Sequence, residues 1–268
     1  MGQSADAPWI SDRGSKADSE PWILISGVIG GLAGYGKIER GLMALGHRVI
    51  VVDPYLMSID SSDVSFDALA RRVSAQLRAH GVMRATIVGH AHGGGVALRV
   101  TAGSPGLVSQ LFLLNVGALS GNKSPVFSSS MRLASLLAHL PGGKRFMRGR
   151  IIAGIRENSG QTGWIDERTA HEYTDGLLNN IGAVVRLAER LGNSQEPEPL
   201  SAVTSRVKVP VTLLLGAVTC PASPGSDELV ALEPLGELVR TIRIDGACHF
   251  PHEEAPDQVL QYFARPRS

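Results

Sequence analysis

Few cysteines, no charge imbalance and no long apolar run mark this chain of 268 residues, and each shortage removes a class of protein. Two cysteines, Cys220 and Cys248, are too few for a secreted disulfide framework or a thiolate metal cage. Lys and Arg (26) nearly balance Asp and Glu (25), and no dense basic patch occurs, so no nucleic-acid partner is expected. No apolar stretch approaches the roughly 20 residues of a bilayer-spanning helix, so no membrane partner is expected either. The opening "MGQSADAPWISDRGSKADSE" has no apolar signal core. Asp6 also breaks the Met-Gly-x-x-x-Ser/Thr acylation pattern, which leaves the cytoplasm as the expected compartment. Residues 1–20, rich in Ser, Asp, Gly and Ala, are expected as a mobile tail.

What is present alternates. "PWILIS" (21–26), "HRVIVVD" (47–53), "ATIVG" (85–89) and "SQLFLLNVG" (109–117) read as buried strands. "KIERGLMAL", "FDALARRVSAQLRAH" and "GGVALRVTA" read as the helices between them, the first closed by Gly46. Near-continuous Val, Ile and Leu runs indicate strands covered on both faces, as in a parallel sheet wrapped by helices. From about residue 121 to 205 the strands stop. Helical segments take over, among them "SSSMRLASLLAHL" and "TAHEYTDGLLNNIGAVVRLAERL", with a Pro/Glu-rich exit, "NSQEPEPLS". The strand pattern resumes with "VPVTLLLG" (209–216), a helix around "SDELVALEPLG", the strand "LVRTIRID" and a closing helix "APDQVLQYF". An all-helical stretch between two stretches of parallel sheet reads as a cap over the sheet's C-terminal edge. The expected organisation is a core of 21–120 and 206–268 with a cap at 121–205.

Three short stretches carry the chemistry. "GHAHGG" (89–94) follows a strand directly and opens a helix, with Gly89, Gly93 and Gly94 as the small residues that a sharp strand-to-helix turn requires. "LISGVIGG" (24–31) follows the first central strand, and "GACHFPHEEAPDQV" (246–259) follows the last. In these the chain resembles the α/β-hydrolase superfamily, in its capped esterase, thioesterase and epoxide-hydrolase-like branch. The resemblance covers about residues 21–265 and is weak in the cap. It implies an α/β-hydrolase fold, a mostly parallel sheet with helices on both faces and a helical cap inserted after the strand near 109–116.

The resemblance also implies roles. Ala91 stands where the family has its serine nucleophile and has nothing to attack with. His249 matches the catalytic histidine and is expected as a general base. The backbone N–H groups of Val28 and His92 are expected as an oxyanion hole, which survives the loss of serine because its donors are backbone groups. Ser26, Gly27, Thr219 and Cys220 are expected to line the substrate site. The acid is missing: Thr219 occupies the G-x-x-D position, and Asn115 the alternative position after the preceding strand. Neither can carry a negative charge, and Asp227, Glu228 or Asp245 have no support from spacing. A histidine without a carboxylate loses its orienting partner.

Other family features have changed as well. Ser26-Gly27 replaces the usual His-Gly, and "DPYLMSIDSSD" keeps Asp53 but not the glycines of D-x-x-G-x-G-x-S. Cys220 and Cys248 fall on the acid and histidine loops, which lie side by side in the family. They read as small buried residues, with a reactive cysteine or a redox pair as the sharper alternative. His90 and His92 flank the elbow without a further ligand at metal spacing, so no metal is expected, and no cofactor.

The expectation is a non-hydrolytic enzyme of lyase, cyclase or isomerase type. It would act on a small, largely apolar carbonyl compound, with His249 as base, in a setting such as bacterial secondary metabolism. The alternatives are an ester or thioester hydrolase carrying a Ser-to-Ala change at residue 91, and a non-catalytic small-molecule-binding pseudohydrolase. A monomer or homodimer is expected.

Overall fold

The structure, a computed structural model, describes residues 8–15, 20–117, 119 and 140–264. Its centre is a seven-stranded sheet of β1 (Ile10–Arg13), β2 (Trp22–Ile25), β3 (Val49–Val52), β4 (Ala85–His90), β5 (Val108–Leu114), β6 (Val211–Gly216) and β7 (Val239–Ile244). The spatial order is β1-β3-β2-β4-β5-β6-β7. All neighbours run parallel except β1, which pairs antiparallel with β3.

The first strand is a correction, since the segment expected as a mobile tail supplies an edge of the sheet. Ile10 is buried against the core, and Asp12 holds the Arg48 guanidinium through two bonds of 3.0 and 2.8 Å. Such a fork suits a planar guanidinium and fixes the edge.

Strand side chains alternate between two cores because successive residues point to opposite faces. Ile23, Ile25, Ile50, Val52, Ile87, Leu111 and Leu113 face α3 (Phe66–Ala79) and α4 (His92–Gly103). Trp22, Leu24, Val51, Val88, Phe112 and Leu114 face α1 (Gly36–Ala44) and the last helix, whose Val259 and Phe263 pack there. Trp22, Phe112 and Phe263 form a ring cluster with centroids 4.6 to 5.6 Å apart. Burying each such side chain contributes about 1.5–3 kcal/mol.

Between β5 and β6 the described chain is helical: α5 (Gly143–Glu157), α6 (Glu167–Asn179), α7 (Ile181–Asn193) and α8 (Leu200–Thr204). The segment expected as one long helix from Thr169 is two, because Asn180 leaves helical geometry at φ −119° and ψ 28°. Most of the expected helix "SSSMRLASLLAHL" lies outside the described residues.

Two buried polar contacts fasten this insert to the core. The Glu196 carboxylate pairs with Arg99 at 3.0 Å and accepts the Phe66 and Asp67 N–H groups that open α3. Tyr173 donates to Glu253 at 3.1 Å, and Lys37 pairs with the same carboxylate at 3.0 Å. After β6 come α9 (Ser226–Val230), then β7, α10 (Pro251–Glu254) and α11 (Pro256–Ala264).

Candidate active site

The turn from β4 into α4 has the backbone that a nucleophile elbow requires. Ala91 sits at φ 49° and ψ −123°, a region that side chains avoid and that costs about 1–3 kcal/mol. The glycines beside it are there for space. A Cβ on Gly89 would lie 2.7 Å from the Ala97 Cβ, and one on Gly93 would lie 2.5 Å from the Ile25 carbonyl oxygen. The loop after β2 closes over the turn: a Cβ on Gly27 would stand 3.6 Å from the Ala91 Cβ. Gly27 thus faces Ala91, and Gly93 lies against the backbone of Ser26. Ser26 Oγ is buried with no hydrogen-bond partner among the described residues. Val28 is half-buried against the core, and His92 opens α4.

The histidine loop is held onto the elbow by its own backbone. His90, the residue before Ala91, donates its Nε2–H to the His249 carbonyl at 2.8 Å, and the two rings stand 4.9 Å apart. His249 N–H donates to the Asn158 carbonyl at 3.1 Å. The Glu254 carboxylate accepts the N–H groups of Cys248 and Phe250, on either side of His249, and those of Gly160 and Gln161 in the insert. Asn158 and Glu254 were not foreseen, because only the folded chain brings 158 and 254 to the same loop.

The orienting partner of His249 was expected to be lost, and here the structure corrects the sequence. Asn115 directs Nδ2 at His249 Nδ1 over 3.0 Å. It is buried, with a left-handed backbone at φ 42°, a conformation that asparagine tolerates better than most residues. Its amide has one satisfactory orientation. Oδ1 accepts the Gly216 N–H at 3.3 Å, while Nδ2 donates to the Ala222 carbonyl, also at 3.3 Å. Turning the amide over would set oxygen against oxygen and N–H against N–H. With Nδ2 as the donor, this contact suits a lone pair on Nδ1 and a ring proton on Nε2, whereas the Ala222 carbonyl, which also faces the ring, suits the opposite tautomer. A carboxylate in this position would demand the opposite tautomer.

Burial, with the nearby His92, pushes His249 down to about 4, against a weaker upward pull from the Ala222 carbonyl. It is neutral at ordinary pH. Burial likewise pushes His252 to about 3 and His90 well below its usual value, reinforced by the neighbouring histidines.

Cys220 and Cys248 form a disulfide. The sulfur expected to line the substrate site is instead tied to the residue before His249, so neither cysteine is a free thiol. Thr219, on the same loop, is exposed. No group of three or more His, Cys, Asp or Glu able to hold a metal ion occurs among the described residues. No described helix is long and apolar enough to cross a membrane.

A parallel sheet wrapped by helices, a strained elbow after its central strand and a histidine loop set against that elbow define an α/β-hydrolase fold. The chain belongs to the alpha/beta hydrolase family, whose model matches residues 18–262. Among curated proteins it is 23% identical over 170 residues to the sn-1-specific diacylglycerol lipase ABHD11 of Danio rerio, covering 56% of this chain and 54% of that protein. It is also 35% identical over 126 residues to the uncharacterized protein Mb2734 of Mycobacterium bovis, covering 45% of this chain and 35% of that one. The matched stretches thus span between about a third and a half of those relatives' lengths.

Solved structures match over nearly the whole chain. An alpha/beta hydrolase fold protein from Burkholderia ambifaria has a TM-score of 0.72 at 18% identity, covering 95% of this chain and 92% of that one. A thermophilic esterase from Thermogutta terrifontis has a TM-score of 0.68 at 18% identity, covering 95% and 90%.

Proposed function

We propose that this chain is a non-hydrolytic member of its family that activates a carbonyl by hydrogen bonding. The observation that carries this reading is the orientation of the Asn115 amide. An acyl-enzyme route needs a nucleophile at residue 91, which is missing, and a histidine able to take its proton, which the Asn115 contact opposes. Ala91 is inert, and a His249 whose Nδ1 accepts from Asn115 presents Nε2–H, a donor with no lone pair for proton abstraction. On this reading His249 acts as a donor, in place of the general base that the sequence leads one to expect.

A neutral imidazole is well suited to polarising a carbonyl oxygen, because it donates without adding a charge that must be solvated. Alongside it, the backbone N–H groups of Val28 and His92 supply the oxyanion contacts of the elbow, each such donor contributing about 3–4 kcal/mol. These parts serve reactions in which negative charge gathers on a carbonyl oxygen while the substrate provides its own nucleophile or leaving group. Cyclisation, isomerisation and elimination of a small, largely apolar carbonyl compound are of this kind. The helical insert acts as the cap that excludes water. The disulfide beside His249 favours an oxidising compartment over the cytoplasm.

A second reading is supported by the elbow itself. The backbone strain at Ala91 is retained where alanine gains nothing from it, as in a serine hydrolase carrying a Ser-to-Ala change. The test treats the chain and its Ala91→Ser variant with short and medium acyl esters and a fluorophosphonate, with intact mass recorded. Non-hydrolytic chemistry predicts no turnover and no adduct in either. Labelling and ester turnover in the variant alone would establish the serine hydrolase reading.

A further inference from the structure

A cavity of about 220 Å³ lies between the core and the helical insert. Its walls come from the loop at 28–33, the segment Asp53–Ile59, α6 and α7. Leu32, Leu56, Ile59, Leu177, Leu187 and Leu191 make it largely apolar. It shares Val28 with the elbow's oxyanion contacts, so it adjoins the site already described without containing Ala91 or His249.

Into this apolar space the chain places Asp53. Its Oδ1 is used twice, accepting the Tyr55 and Leu56 N–H groups at 3.0 and 2.9 Å to cap α2 (Pro54–Met57). Its Oδ2 has no partner among the described residues. The backbone makes room beside that oxygen: a Cβ on Gly31, which has φ +50°, would stand 3.0 Å from Oδ2. Tyr55, also on the cavity wall, has a buried hydroxyl without a partner among the described residues. Among the described residues no Lys, Arg or His lines the cavity, and the other charged group there is Glu172 of α6. A carboxylate desolvated among leucines with one oxygen open is costly unless something pairs with it. The field inside repels anions.

We propose that this cavity receives the remote end of the substrate, and that this end is an aliphatic ammonium group bound by Asp53. The substrate class is then a small amino-carbonyl compound, a statement that rests on the carbonyl-activating reading above. At the packing density of protein interiors the space holds roughly eight or nine heavy atoms, enough for a short branched chain and its amine.

Burial raises Asp53 to about 6, against the two backbone N–H groups that pull it down. The remaining titratable groups facing it are Tyr55 on its own segment and Glu172 and Tyr173 on α6; α7 and the 28–33 loop contribute none. Affinity for an ammonium ligand should therefore rise about tenfold between pH 5 and pH 7, as the carboxyl gives up its proton.

The probes are isopentylammonium, isopentanol and isovalerate, which share one carbon skeleton and differ in head group. Binding to the full chain is followed by calorimetry and by methyl NMR of Leu177, Val184 and Leu187. The expected order at pH 7 is ammonium, then alcohol, then carboxylate, with affinity rising with pH for the ammonium, falling for the carboxylate and flat for the alcohol as Asp53 ionises. Asp53→Asn keeps the cap oxygen and removes the charge, and should weaken the ammonium at least tenfold at pH 7 while leaving the alcohol unchanged. Equal binding of the three probes, or methyl shifts elsewhere than in the cavity, would overturn the proposal even without the variant. Neither result depends on turnover. Selective ammonium binding in a chain with no carbonyl chemistry would refute the mechanism and leave the subsite standing.

Discussion

Asn115→Asp separates the amide's effect on His249 from the effect of burial. The substitution changes one atom of the side chain's outline and sets a carboxylate oxygen 3.0 Å from Nδ1. Two unit charges at that distance attract by about 5 kcal/mol at an effective dielectric of 20. Much of this is consumed in desolvating the new carboxylate and in setting the oxygen that replaces Nδ2 against the Ala222 carbonyl, 3.3 Å from Nδ2 in the parent chain, while Oδ1 keeps the Gly216 N–H. Neighbouring opposite charges usually move a titration by roughly one to three units. His249 should therefore rise from about 4 to somewhere between about 5 and 7.

The assay is long-range 15N–1H correlation of the histidine rings across pH. In the parent chain it should show a protonated Nε2 and a bare Nδ1. In Asn115→Asp the proton should move to Nδ1, and a titration should enter the accessible range. Combined with Ala91→Ser, the acid should also bring out ester hydrolysis that Ala91→Ser alone does not show, since a triad loses about 10⁴ in rate when its acid becomes an amide. A proton on Nδ1 of the parent chain, or an unmoved titration in the variant, would refute the assignment of the amide and the donor role built on it.

Removing Glu196 should be severe. Glu196→Ala leaves Arg99, almost wholly buried, without its partner and uncaps α3, a loss of about 3–5 kcal/mol by urea unfolding, whereas Glu196→Gln should cost less because it can still accept the Phe66 N–H. Stability should also fall in mild acid. His90, His249 and His252 all titrate lower in the folded chain than the ordinary 6.5, chiefly through burial, so their contribution is complete above 6.5 and is lost progressively as pH falls below it. Asp53, raised by burial from 3.8 to about 6, and Glu253, also raised by burial, work in the opposite direction but are two groups against three. Thermal melts between pH 7.5 and 4.5 would show a monotonic fall, and a flat profile would contradict these shifts.

The central strands were legible because buried parallel strands announce themselves as unbroken Val, Ile and Leu. "ISDR" gave no such signal, since an edge strand is wetted on one side and here relies on an Asp12–Arg48 pair rather than on apolar residues. The division at Asn180 was hidden inside a periodicity that runs through it. At the site, the glycine spacing around Ala91 disclosed the elbow, because close approach of backbone leaves only glycine at fixed offsets. Asn115 stood in a recognised position, yet its value was misjudged. What matters is which amide atom faces His249, and that is decided by Gly216 and Ala222, both about a hundred residues away in the chain. Asn158 and Glu254 were invisible for the same reason: polar residues on loops read alike until folding chooses their partners.

The disulfide closes a ring of chain that contains α9 and the whole of β7. That strand is the outer edge of the sheet, and its exposed Arg240 and Arg243 are of the kind that discourage pairing with other chains. Edge strands are also where sheets fray, and the loop bearing His249 follows this one directly. With Cys248 fastened to the loop beyond β6, fraying of β7 cannot draw the histidine away from Asn115. Local opening at that edge is thereby uncoupled from the geometry of the site, and hydrogen exchange in β7 can be fast while His249 stays in register.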